Sequence, residues 1–283
     1  MDVIINGDTD CVPLESKSLV TQHDWGLNFL ASLGYDATNP PIGDFLRQYY
    51  QLTGKWIVAA PIYWEATHND AMIVAEGASL PLTDDESRRL FAEVASFLGE
   101  EGIKLHYHNA HTWLVNVDNK SELVSPPTHL MLHRSMMPVL DKMDKSLYWQ
   151  RIMTELQMFL SAHPVNNQRQ DKLPVNGLWF YGSGVFTIDS NKKIITDNEP
   201  LINHFPDEFS SNSREGALNR VSDDVILLIT QQTSANFDHL RANLCNYKVR
   251  WFWNNKAYLT PKSHWWRRLW RGFINAYQTK RTT

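Results

Sequence analysis

The stretch from Thr83 to Val117, TDDESRRLFAEVASFLGEEGIKLHYHNAHTWLVNV, decides the fold class. Thr83 is placed to cap a helix, and Glu86, three residues on, completes a capping box. Leu90, Phe91, Val94, Ala95 and Leu98 then keep to one face at helical spacing, and Gly99 and Gly102 bracket the end. Ile103–His108 and Thr112–Val117 flank the turn residues Asn109-Ala110-His111, which predicts a β-hairpin. Upstream, Trp56–Ala60 and Ala71–Ala75 are short apolar runs on either side of a turn at His68-Asn69-Asp70, and Asn39–Gly43 is expected to be a loop. Downstream, Ser125-Pro126-Pro127 marks a break, and a second helix is expected from Ser146 to Ala162, stopped by Pro164. Val175–Phe180 and the fully apolar Val225–Ile229 predict strands, the latter central. Val249, Trp251 and Trp253 alternate before Asn254-Asn255, and Ala257-Tyr258-Leu259 returns as a second hairpin. The expected class is α+β, a mixed or antiparallel sheet with flanking helices. Its expected parts are residues 1–125, residues 126–260 and a C-terminal helix over 261–283.

Composition excludes several classes. Hydrophobic residues make up 43% and charged residues 20% of the 283, which rules out a disordered or collagen-like chain. Lys and Arg number 27 against 31 Asp and Glu, a net charge of −4, so no nucleic-acid partner is expected. The 11 Trp need a core, an interface or a ligand site. Asp2, Asp8 and Asp10 interrupt the N-terminal run, and no stretch nears about 18 consecutive apolar residues; the expectation is a cytoplasmic protein. Cys11 and Cys245 have no zinc-like spacing, and neither metal nor cofactor is expected.

The densest cluster of unusual residues is His163-Pro164-Val165-Asn166-Asn167-Gln168-Arg169, followed by Leu173-Pro174-Val175-Asn176-Gly177-Leu178-Trp179-Phe180-Tyr181-Gly182-Ser183-Gly184. Successive N–H groups at Gly182-Ser183-Gly184 with Arg169 nearby can form an anion-binding concavity. The same residues also suit a turn that needs glycines for positive φ and Asn side chains for its backbone. Ser183 lacks the G-x-S-x-G elbow of a hydrolase nucleophile.

This pattern, HPVN-x2-R followed by PVN-G-LWFYGSG, resembles the signature of bacterial RpfE-type regulatory proteins. A similar block occurs in archaeal-type cofactor-independent phosphoglycerate mutases, in a domain beside their phosphatase-like core. Ala60-Pro61-Ile62-Tyr63 and His68-Asn69-Asp70 occupy the place of the RpfE-type DPVH…DRD segment, so the resemblance covers roughly residues 55–185. Tyr181 stands where the mutase block has Arg, and Ala60 and Tyr63 stand where the RpfE type has Asp and His. The mutases also need an N-terminal D-x-G-type metal motif and a later Asp-His set, of which Asn6-Gly7-Asp8 is the only echo here. The resemblance therefore implies a shared domain, the mutase accessory fold, without the shared reaction. The expected function is a non-catalytic, cytosolic bacterial regulatory or interaction protein. It would hold a small anionic, phosphorylated ligand at His163, Asn166, Arg169, Asn176, Gly182, Ser183 and Gly184. The alternative is a mutase-like enzyme acting on a phosphorylated three-carbon acid.

Two further groups stand out. His106, His108 and His111 lie within six residues and suit either a metal or a half-exposed strand. His129 and His133 are four apart but lack the HExxH glutamate. At the C-terminus, Trp266, Leu269, Trp270, Phe273, Ile274 and Tyr277 share one helical face. Lys262 to Thr283 carries six basic residues, Arg267, Arg268 and Arg271 among them, and none acidic. A basic, aromatic helix of this kind suits an anionic membrane, a partner or a nucleic acid; Trp266, Arg267, Arg268, Trp270 and Arg271 are expected to meet a protein partner or a membrane surface, or else to dock on the chain's own acidic body.

Overall fold

The computed structural model describes residues 1–169, 171–188, 192–211, 224–231 and 237–262. The C-terminal segment with Trp266, Arg267, Arg268, Trp270 and Arg271 lies outside the described residues. Two compact units share the chain: the first joins residues 1–33 to the segment from Asp189 onward, and the second is residues 34–188. The expected break at Pro126 falls inside the second unit. There the Ser125 hydroxyl donates to the Phe180 carbonyl and Trp179 Nε1 donates to Pro126 O at 2.8 Å. The prolines turn a chain that stays in one core.

The first unit contains β1 (Asp2–Ile5), β2 (Lys17–Leu19), α1 (Trp25–Leu33), β8 (Lys193–Thr196), α8 (Glu199–His204), β9 (Phe209–Ser211), β10 (Val225–Ile229), α9 (Phe237–Leu244), β11 (Val249–Phe252) and β12 (Ala257–Thr260). Among the described residues its strands form one sheet in the order β2-β12-β11-β1-β10-β8-β9. β1 runs parallel to β10 and β11, and β8 runs parallel to β10 and β9. β12 pairs antiparallel with β11 and β2. The sheet is mixed, as expected, and Val225–Ile229 is an inner strand. Val3, Ile4 and Ile5 are completely buried, as strands covered on both faces require, which is why DVII and VILLI do not alternate. Asp2 is the exception: Arg250 Nε and Nη2 grip it at 2.6 and 2.5 Å, so the buried carboxylate is paired.

The second unit contains α2 (Ile42–Tyr49), β3 (Trp56–Ala66), β4 (Ala71–Glu76), α3 (Asp84–Glu100), β5 (Leu105–Asn109), β6 (Thr112–Asn116), α4 (Thr128–Met131), α5 (Met137–Met143), α6 (Tyr148–Ser161), α7 (Pro164–Asn167) and β7 (Gly177–Tyr181). Here β3 is the hub, antiparallel to β6 over Trp56–Ala59, to β7 over Val58–Ile62 and to β4 over Ile62–Ala66. Thr83 caps α3 with the expected reciprocal box: Glu86 N donates to Thr83 Oγ1, and Thr83 N donates to Glu86 Oε2. The β5–β6 hairpin also forms. The segment expected as a loop at Asn39–Gly43 instead starts α2, with Pro41 at its boundary. Among the described residues four tryptophans are fully buried, Trp113, Trp149 and Trp179 here and Trp251 in the first unit. Among the described residues no helix is long and apolar enough to cross a membrane.

Candidate functional site

The bend over 163–184 holds the second unit together. His163 begins α7, its Nδ1 accepting from Val165 N at 3.2 Å. Asn166 Nδ2 donates to Leu160 O at 2.7 Å, closing the end of α6, and to Val175 O at 2.9 Å, while its Oδ1 accepts from Val175 N. Asn176 does the same beside β3, accepting from Trp64 N at 2.9 Å and donating to Trp64 O at 2.7 Å. Trp64 flanks the register shift of β3 against β4, so the amide supplies ladder bonds where the backbone slips. Asn176→Leu is expected to leave both Trp64 groups unpaired and to cost about 2 kcal/mol; a midpoint shift in urea unfolding measures it.

The guanidinium of Arg169 is completely buried. Nε and Nη2 donate to Leu173 O at 3.1 and 3.0 Å, and Nη2 also donates to Pro81 O at 2.8 Å. Nη1 lies 3.0 Å from Glu86 Oε2, an ion pair without hydrogen-bond alignment. Gly182 has φ +85°, and a Cβ there would lie 2.4 Å from Ile42 Cγ2. Ser183 Oγ donates to Leu123 O at 2.5 Å. Only Gly184 of the seven is exposed. The charge of the bend therefore does not face solvent: Arg169 points inward onto Glu86, and the Asn166 and Asn176 side-chain amides pair with backbone. The reading as a turn requiring glycine and Asn is the one the structure supports.

The three histidines also separate. His106 and His108 contact Tyr50, whereas His111, lowered first by burial, feels the Arg169 charge. Among the described residues no three His, Cys, Asp or Glu side chains form a metal-holding group.

The first unit offers a different place. Its strand registers set Ile5 beside Ile229, Ile4 beside Phe252 and Thr196 beside Leu228. The next residues, Asn254, Asn6, Thr230 and Asn198, thus stand at about one level across the carboxyl ends of β11, β1, β10 and β8. Parallel sheets bind ligands at that end. Asn254 Nδ2 donates to Asn6 Oδ1 at 3.3 Å and Asn198 Nδ2 to Thr230 Oγ1 at 3.1 Å. Asp197 fixes the β10 end by accepting from Thr230 N at 2.7 Å and Gln231 N at 3.0 Å. Asn28 and Thr21 hold Trp253 O from the α1 side. Burial pushes the nearby Asp24 carboxyl up, against the N–H groups of Leu27 and Gly26. Asn254 Oδ1 is covered and has no hydrogen-bond partner among the described residues.

Comparison with known proteins adds little. No family model and no curated protein matches this chain. One solved structure, the cofactor-independent phosphoglycerate mutase from Thermoplasma acidophilum, matches with 13% identity over 91% of this chain and 88% of its own, at a TM-score of 0.35. A likeness that weak carries no argument for fold or activity. The two-cation site implied by the mutase resemblance does not fit the strand-end row, because neutral amides and a hydroxyl replace the carboxylates and imidazoles such a site needs. Asn6 was visible in the sequence as part of Asn6-Gly7-Asp8. Thr230, Asn254 and Asn198 were missed, although each directly follows an apolar strand or its flanking residue.

Proposed function

We propose that this chain is a non-catalytic regulatory or interaction protein, of the kind the RpfE-type resemblance implies, taking a small polar ligand at the carboxyl ends of β1, β8, β10 and β11. The level row Asn254, Asn6, Thr230 and Asn198 supports this reading. These groups give and take hydrogen bonds without titrating near neutral pH, which suits recognition. In this reading the ligand site moves from the Arg169 bend to the strand ends. In this reading the basic, aromatic sequence from Lys262 onward meets a protein partner or a membrane surface, and the protein works in the cytosol.

Thermal unfolding with 3-phosphoglycerate, malate and inorganic phosphate tests the site. A ligand at 100 times its Kd stabilises by about 2.7 kcal/mol. The expected result is a raised Tm with at least one probe in the wild type and none in Asn6→Ala. Shifts that survive Asn6→Ala would remove the placement. Conversion of 3-phosphoglycerate to its 2-isomer in the presence of manganese would replace the reading with the mutase one.

A further inference from the structure

Tyr50 closes the C-terminal end of α2, and β5 is the edge strand of its sheet. Between them His106, His108 and Tyr50 form a stack. The Tyr50 and His106 rings lie 4.4 Å apart and those of Tyr50 and His108 5.7 Å apart. Tyr50 Oη lies 2.7 Å from His108 Nδ1. Pairing of β5 with β6 shifts register between Tyr107 and Asn109, so His108 sits at an irregularity of the kind that re-aims a side chain. His106 Nε2 is covered and has no hydrogen-bond partner among the described residues.

We infer that the Tyr50–His106–His108 stack is an acid-sensitive latch holding the end of α2 on the edge strand β5. Closed, the stack needs neutral rings. Burial pushes the Tyr50 hydroxyl up to about 12, so it keeps its proton, and with His108 in the Nε2–H tautomer it donates to Nδ1. A proton on Nδ1 reverses that bond and forces the tyrosine O–H to find another acceptor. A proton on His106 creates a cation whose Nε2–H has no acceptor, beside a second imidazole. Burial, then the neighbouring His106, lowers His108 to about 4, and burial lowers His106. Beside the stack, Tyr49 at the end of α2 meets Tyr50 edge-on, and Leu114, opposite His106 on β6, is apolar. Among the described residues no carboxylate acts on either imidazole.

The sign follows from linkage. An imidazole depressed when latched and ordinary near 6.5 when released binds protons preferentially in the released form, so latching is complete above about pH 6.5 and weakens toward pH 4. His108 alone makes opening about twentyfold more favourable at pH 5 than at pH 7. Native-state hydrogen exchange of the full chain reads this at the Tyr50, Gln51 and Leu52 amides, which bond to Leu46, Gln48 and Arg47 carbonyls. The expected result is a protection factor that falls about twentyfold from pH 7 to pH 5 while the β7 amides hold. In His106→Gln/His108→Gln it should stay flat. An equal fall in that variant, or none in the wild type, overturns the latch. Should the variant not fold, proton NMR of the wild type decides: a His108 ring titrating near 6.5, or Tyr50 ring signals unmoved as His108 titrates, overturns it as well.

Discussion

Arg169→Ala is expected to destabilise the second unit by about 3 kcal/mol, the cost of stranding Leu173 O and Pro81 O and of losing the buried half of an ion pair whose Glu86 is part-exposed. The loss is larger than for a surface ion pair because one side chain serves three distant places. It holds Leu173 O within its own bend, Pro81 O before α3, and Glu86 in the first turn of α3. Arg169→Lys should recover little, since an ammonium lacks the planar fork that reaches all three. Arg169→Met with Glu86→Gln should recover part of the loss by removing the stranded carboxylate. Urea midpoints read through the α3 amides check all three. Burial works to raise the Glu86 carboxyl, but the Thr83 N–H and hydroxyl and the Arg169 and Lys172 charges outweigh it and hold it below its ordinary value of 4.5. The pair's contribution is therefore complete above that value and is lost as acid titrates the folded carboxyl, a window below that of the histidine latch.

Gly43→Ala should be nearly as severe, about 3 kcal/mol, the upper end for overpacking. A Cβ at Gly43 would lie 2.4 Å from Trp56 O, 2.6 Å from Ile57 Cα and 2.8 Å from Gly182 O. All three are backbone atoms, and Gly43 N donates to Gly182 O at 3.0 Å, so α2 cannot back away without breaking that bond. Gly99→Ala is the control: nothing lies within 4 Å of its added carbon, and in the last turn of α3 alanine is expected to stabilise by about 0.5 kcal/mol, the low end of the helix-interior gain. Thermal unfolding of both variants should move Tm in opposite directions.

Local signals in the sequence were legible where the responsible atoms are close in the chain. Thr83 and Glu86 meet across three residues, and the β5–β6 hairpin needs only its turn, so both appear at the expected places. Ser146 was a near miss as a helix start: Leu147 takes the left-handed conformation and Asp144 accepts from Tyr148 N and Trp149 N. What failed was partner choice over distance. The segment around Arg169 is conspicuous by sequence, but its counter-charge lies 83 residues away at Glu86, so exposure and burial of the cation looked alike. The strand-end row is harder still: Asn6 and Asn254 are 248 positions apart, and nothing local says that β1 lies between β10 and β11.

That placement of β1 bears on how the protein is made. Residues 2–5 are translated before the second unit, and their neighbours Ile226–Ile229 and Arg250–Phe252 after it. The second unit, residues 34–188, is fully translated while Val3, Ile4 and Ile5 still lack a sheet to join. A nascent chain halted before Lys193 would therefore carry the whole second unit and an unpaired, apolar β1, the form a chaperone would recognise during translation.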